Sequence, residues 1–234
     1  MVLHTTDYSE TSLIVHAYSK HRGPLTFLVK GAKKSKKKRV VFSSMQYLQV
    51  LLYPSKKSDG LHLFKEAHMP QPTWSFQGNM LGSSLAFFMA EVLYQSLKNL
   101  PEDPPLFDFI TASLARLHGP EAIHPCMPHV FLMELAQHLG FGIPQTVKSN
   151  ARYFDLVQGE FVDFQPSENP CIQKEELEAL KSLIGTDFDN LPQGIHKKVR
   201  MELLEQLLLF FEIHVPHFGP IKTIEILSAV LQVL

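Results

Sequence analysis

The stretch Lys30-Gly-Ala-Lys-Lys-Ser-Lys-Lys-Lys-Arg39 places seven cations in ten positions. Ammonium and guanidinium groups at that density neutralise phosphates and release condensed counterions. That chemistry gives affinity for a nucleic-acid backbone without reading its sequence. The plainer reading is a solvated, flexible loop. A phosphate-cradling P-loop is excluded, because Lys30–Ser35 lacks the required gap between its glycine and a second one. Arg22 adds a cation in the turn Lys20–Pro24. Aromatic rings would share the work by stacking bases, and Tyr18, Phe27, Tyr47 and Tyr53 are at hand. Phe27 reads as core. An unbulged strand puts Tyr47, Gln49, Leu51 and Tyr53 on one face and Leu48, Val50 and Leu52 on the other. The all-apolar set is the better core face, which leaves Tyr47 and Tyr53 as a candidate binding surface.

Other chemistry is poorly represented. His124-Pro-Cys-Met-Pro-His129 groups three metal-ligating side chains, but its prolines oppose the regular element that would converge them, and a loop with a buried cysteine is the simpler reading. Cys126 and Cys171, the two cysteines of the chain, cannot form a disulfide framework or a four-thiolate zinc site. No nucleophile elbow, zincin helix or nucleophile–base signature occurs. The expectation is therefore a protein without catalytic residues, metal or cofactor.

The elements that must position the basic run are strands. Val2–Thr6, Ser12–Tyr18, Leu25–Lys30, Gln46–Tyr53 and Gly60–Glu66 are rich in β-branched and aromatic residues and separated by turn signals. Five short strands at this spacing suit a small closed barrel, the five-stranded OB-fold, with the basic run as one of its loops. Val2 already lies inside the first strand, so a few native residues are expected to be missing or trimmed. After Pro70-Gln-Pro72 the period changes to that of helices. Helices are expected from Leu81 to Leu100, from Asp103-Pro-Pro-Leu to Gly119-Pro120 and over His129–Leu139. Later ones run from about Lys174 to Ile184, Pro192 to His214 and Ile221 onward. Tyr153–Phe164 reads as a hairpin turning at Gln158-Gly159. Leu203–Phe211 is apolar beyond one face, as a central buried helix would be, and Lys197–Arg200 reads as a solvated helix face.

Charge divides with the elements. Up to Lys57 there are eleven lysines and arginines against two acids, a net +9, and the remainder carries eleven against twenty-one, a net −10. Such a split points to a polyanionic partner for the basic part. No signal peptide is read in MVLHTTDYSE, and no apolar run approaches the roughly 20 residues of a membrane span.

The opening stretch Val2–Val15, with Tyr8, Glu10, Ser12 and Ile14 at alternate positions, resembles that of the RecO family of bacterial recombination mediators. Lys20-His-Arg-Gly-Pro-Leu and Lys30-Gly-Ala-Lys33 are similar to the family's next turn and its basic Gly-Ala loop. Glu91-Val-Leu, Pro104–Asp108, Leu139–Pro144 and Phe218–Thr223 resemble its helical segments in order. The resemblance implies an α+β protein with an OB-fold domain over 1–72 and an all-helical domain over 73–234. It also implies a non-enzymatic mediator that binds single- and double-stranded DNA and anneals complementary strands. Such a mediator helps load the recombinase onto DNA coated by single-strand-binding protein, in the cytoplasm and associated with the nucleoid. Implied partners are RecR and the C-terminal acidic tail of single-strand-binding protein. DNA contacts carry over to Lys30, Lys33 and Lys34 by motif and to Arg22 by the turn. Lys36, Lys37, Lys38 and Arg39 join them by charge, and Arg116, on an apolar helix, is the candidate for the acidic tail. Many family members carry a four-cysteine zinc finger. Here the equivalent region, about 145–172, holds Cys171 alone, so a short β-hairpin without metal is expected in its place. The competing class is a protein-interaction adaptor whose basic loop recruits acidic partner tails.

Overall fold

The computed structural model describes residues 1–34, 40–53, 60–70, 79–118 and 123–231. The chain divides into two compact units, Met1–Glu121 with Ile221–Leu227, and Ala122–Pro220 with Ser228–Leu234.

In the first unit β1 (Val2–Asp7), β2 (Leu13–Ser19) and β3 (Gly23–Val29) form an antiparallel meander, and β4 (Gln49–Tyr53) and β5 (His62–His68) complete a sheet ordered β1-β2-β3-β5-β4. β5 runs parallel to β3 and antiparallel to β4. The amide of Val2 donates to the Gln46 carbonyl at 2.9 Å and that of Met45 to the Val2 carbonyl at 2.7 Å, which joins β1 to the approach of β4. This is the five-stranded OB-fold barrel of an α+β protein. Alternation decides what fills it: Val2, Leu13, Val15, Phe27 and Val29 point inward and are buried with Phe42 and Leu48, while Val50, Leu52 and Phe64 pack against them. Phe27, Phe42 and Phe64 meet at ring-centroid distances of 5.3 to 6.2 Å, two of the pairs edge-on. Gly23 starts β3 at φ +60, and a Cβ there would lie 2.9 Å from the Pro101 and Glu102 backbone. Only glycine meets both demands.

Two helices complete this unit. Helix α1 (Met80–Ser96) is capped by Asn79, whose side chain accepts from the Gly82 amide. Helix α2 (Pro104–Arg116) starts with two prolines behind Asp103, whose carboxylate accepts from the Leu106 amide at 3.0 Å. This is the start that the Asp-Pro-Pro pattern predicts. The Tyr18 hydroxyl donates to the Pro101 carbonyl at 3.2 Å, and the Lys20 ammonium reaches Asp108 at 2.6 Å. The returning segment is held by Glu91, whose carboxylate accepts from the Thr223 amide at 2.8 Å and its hydroxyl at 2.6 Å. The Glu91 and Phe218–Thr223 segments that resemble the family meet in this contact.

The second unit contains α3 (Met127–His138), a three-stranded sheet, α4 (Lys174–Leu183) and α5 (Lys197–His214), and the last helix, α6, spans Thr223–Leu231. The expected hairpin is present as β6 (Tyr153–Asp155) and β7 (Glu160–Val162), and Cys171–Gln173 adds a third strand, β8, on the other side of β6. Asp155 organises the turn: its carboxylate accepts from the Val157 and Gln158 amides at 2.8 and 3.0 Å and from the Asn169 side chain at 2.8 Å. Gly159 takes φ +67 to close it. Phe154 and Ile172 are fully buried, and Phe154 packs edge-on against Phe210 of α5. Packing and one satisfied carboxylate hold this small sheet. Helix α5 begins at Lys197 and not near Pro192, because Gly194 at φ +83 keeps the chain out of the helix. Its apolar run is core, with Leu203, Leu204, Leu207, Leu208, Phe210 and Phe211 all buried.

Candidate nucleic-acid interface

The register of the barrel sorts its outward residues into rows. Thr6 faces Ile14, Ile14 faces Leu28, Leu28 faces Leu63 and Leu63 faces Tyr53, so one row crosses all five strands. Partners in such a ladder share a face of the sheet. From Ile14 onward this row is apolar; Leu28 is buried, and the row becomes open toward β4, where Leu63 is 43% exposed, Tyr53 51%, and Leu51 on the same face of β4 50%. Exposed apolar residues gathered on one strand pair mark a surface with work to do.

Cations border the row. Lys30 follows β3 two positions after Leu28, and Lys65 follows Leu63 by two positions on the parallel neighbour β5. The Lys65 ammonium lies 5.9 Å from the centre of the Tyr53 ring. Lys34 is exposed at the end of a 3-10 turn over Ala32–Lys34. Lys33 is half-buried and already engaged, 2.9 Å from Asp7 and donating to the Ser9 carbonyl at 2.8 Å. Aromatic face, apolar row and basic border together can stack bases and neutralise phosphates, the two demands of single-strand binding.

The structure does not gather every expected residue here. Arg22 is exposed in the turn between β2 and β3, at the opposite end of β3 from Lys30. At about 3.3 Å per residue, the eight residue steps from one to the other span roughly 26 Å. Tyr47 does not share the open face with Tyr53. It precedes β4, is half-buried, and its ring lies 6.0 Å from that of Phe107. Tyr18 and Phe27 are fully buried. Lys36, Lys37, Lys38 and Arg39 lie outside the described residues. Arg116 is exposed in the last turn of α2. Leu51 falls on the face that the strand period assigns to Tyr53, whereas Lys65 and Leu63 are not legible in the sequence because their place beside it depends on the β3–β5 parallel pairing and on a register shift between Leu51 and Leu52. The alternation of Leu61, Leu63 and Lys65 was the available signal.

The histidine and cysteine cluster of the second unit resolves differently. The Cys126 amide donates to His124 Nδ1 at 3.1 Å, and His129 Nε2 donates to the Arg200 carbonyl at 2.7 Å. Burial pushes the Cys126 thiol up to about 11. Arg200 itself folds back, its guanidinium donating to the Ile195 carbonyl at 2.8 Å, so only Lys197 and Lys198 of that face are exposed. Among the described residues no group of three or more His, Cys, Asp or Glu could hold a metal ion. No helix among them is long and apolar enough to cross a membrane.

Two family models match the chain, Recombination protein O N terminal over residues 1–72 and Recombination protein O C terminal over residues 77–223. The chain belongs to the RecO family of DNA repair proteins. A protein named DNA repair protein RecO from Christiangramia forsetii is 29% identical over 98% of this chain and 96% of its own length. Those from Azobacteroides pseudotrichonymphae and Porphyromonas gingivalis W83 are 27% and 29% identical, each over 99% of this chain and 97% of theirs. Membership therefore extends over both units and includes the basic border.

Proposed function

We propose that this RecO-family chain is a non-enzymatic mediator that binds single- and double-stranded DNA, anneals complementary strands and helps load the recombinase onto DNA coated by single-strand-binding protein. The observation that carries the reading is the basic border of Lys30, Lys34 and Lys65 along an exposed apolar and aromatic row of the barrel. In this reading residues 1–72 hold the DNA backbone, with Arg22 and the loop Lys30–Arg39 as its grip and Tyr53 as the stacking ring. Residues 73–234 receive protein partners, RecR and the acidic tail of single-strand-binding protein, with Arg116 as the contact for the tail.

Annealing follows from the same physics. Two single strands repel through their phosphates, and a surface that neutralises both lowers the cost of their encounter while leaving base edges free to pair. The test is a strand-annealing assay on the full chain with Lys33, Lys34, Lys36, Lys37, Lys38 and Arg39 all changed to alanine. Annealing should be lost while the helical content stays unchanged. Annealing that survives, together with binding of an acidic tail peptide that needs those cations, would favour the adaptor reading.

A further inference from the structure

One pairing step from the row that ends at Tyr53, the outward face of the barrel carries a second row. His4 faces His16 on β2, and His16 faces Thr26 on β3. The end of α1 lies against this row. The Tyr94 ring stacks on His4 at 4.7 Å with a 28° interplanar angle, and its centroid is 5.2 Å from that of His16. The Lys98 ammonium sits 4.8 Å from the centre of the tyrosine ring. Between helix and sheet is a cleft of about 260 Å³ whose wall includes His16, Pro24, Leu25, Thr26, Tyr94 and Lys98. Tyr94 lines the cleft, whereas His4, which stacks on its ring, does not.

The chemistry of this wall is specific. Its floor is aliphatic, its wall offers one hydroxyl, one imidazole, one ammonium and the phenols of Tyr94 and of Tyr18, the latter turned to the Pro101 carbonyl, and no carboxylate lines it. Glu91, the nearby acid, is turned to Thr223. The Lys98 ammonium holds the Gln95 amide oxygen at 2.6 Å, and neither that contact nor the ring neutralises its charge. Burial keeps His16 below the ordinary histidine range, with His4 and Lys98 adding to the effect, so at neutral pH its ring offers both a donor and an acceptor. The cleft is smaller than a drug-sized pocket and suits a planar group with an attached anion. It opens on the same sheet face as the basic border, where adjacent outward residues along a strand lie about 6.6 Å apart.

We propose that this cleft takes one unstacked base of single-stranded DNA against Tyr94, with Lys98 moving from the tyrosine ring to the flanking phosphate. The proposal rests on the DNA-binding reading above and adds a preference to it. A base inside a duplex is stacked and paired and cannot enter, so the cleft contributes to single strands only.

The test compares the full chain with variants by fluorescence anisotropy on a labelled oligothymidylate and on a labelled duplex of equal length. Tyr94→Ala should weaken single-strand binding by about 5- to 150-fold, the range for loss of one base–aromatic contact, and leave duplex binding within about twofold. Tyr94→Phe, which keeps the ring, should bind like the parent. Lys98→Ala should make the single-strand salt slope shallower by about 0.7. Thr26→Phe fills the cleft from the strand side while leaving Tyr94 in place and should repeat the single-strand loss. It decides the matter if Tyr94→Ala melts early. Single-strand affinity unchanged in Tyr94→Ala and Thr26→Phe, or single-strand and duplex affinity falling together, would overturn the cleft while leaving the basic border standing. A parent chain whose single-strand binding ignores salt would overturn both.

Discussion

The Lys33 ammonium lies 2.9 Å from the Asp7 carboxylate and 2.8 Å from the Ser9 carbonyl, whereas Lys34 next to it is exposed. A cation already neutralised within the protein releases fewer counterions when a phosphate arrives. Lys34→Ala should therefore flatten the salt slope of single-strand binding by about 0.7, and Lys33→Ala by clearly less. Equal effects would mean that the Asp7 pair opens in the complex. Glu91 is the counterpart on the helical side of the same unit. Its carboxylate takes two hydrogen bonds from Thr223, and bonds to a charged group contribute roughly 1.5–3 kcal/mol each. Glu91→Ala should lower the urea midpoint by the equivalent of about 2 kcal/mol or more, and Glu91→Gln by less. A midpoint unchanged in both would show that Thr223 is held by other contacts.

His129 sets a pH dependence. It is 1% exposed, and burial pushes its imidazole down from 6.5 to about 4, against the raising effect of its bond to the Arg200 carbonyl. The unfolded chain therefore binds the proton first. The contribution of His129 is complete above about pH 6.5 and declines by about 1.4 kcal/mol per unit as pH falls toward 4, roughly 3 kcal/mol in all. Urea melts between pH 7 and 4 should show this slope, and His129→Gln should remove most of it.

At the scale of elements, the turn of the small sheet depends on Asp155. Burial would raise its carboxyl, and the bonds from Asn169, Gln158 and Val157 outweigh burial and hold it below the ordinary aspartate range. Asp155→Ala leaves the two backbone amides without their partner, at a cost of about 1–3 kcal/mol for each one kept from water. Amide exchange in β6 and β8 should accelerate while β1–β3 keep their protection. Exchange unchanged at Phe154 and Ile172 would show that aromatic packing alone holds the sheet.

Much of this level was legible beforehand. The Asp103 cap with its two prolines, the glycine stop after Leu139 and the alternation along β2 each rest on local physics that a sequence displays. The interface was less legible, because long-range pairing creates it. That Leu63 would lie beside Leu28, placing Lys65 beside Tyr53, follows from a parallel pairing between strands thirty-five residues apart in the Leu28–Leu63 register. Tyr47 was assigned by strand period to the open face, and packing against Phe107 overrode it. The third strand at Cys171–Gln173 was missed because three residues carry too little periodicity to be read.

For the whole molecule, the charge asymmetry is the governing fact. A net +9 up to Lys57 and −10 beyond it sum to a nearly neutral chain, so attraction to a polyanion must be local to the barrel. In the proposed function the sequence-independent grip is therefore the barrel, and the acidic remainder receives the protein partners. The most direct test is a salt titration of labelled single-stranded DNA binding to the full chain, run beside the variant lacking the loop cations Lys33–Arg39. With about −0.7 per phosphate contact and most of Lys30–Arg39 engaged, log affinity should fall against log salt with a slope of at least about −4 to −5, and the slope of the variant should be shallower by about 3 to 4. An affinity for the parent chain that does not change between low and moderate salt would contradict backbone binding by this domain.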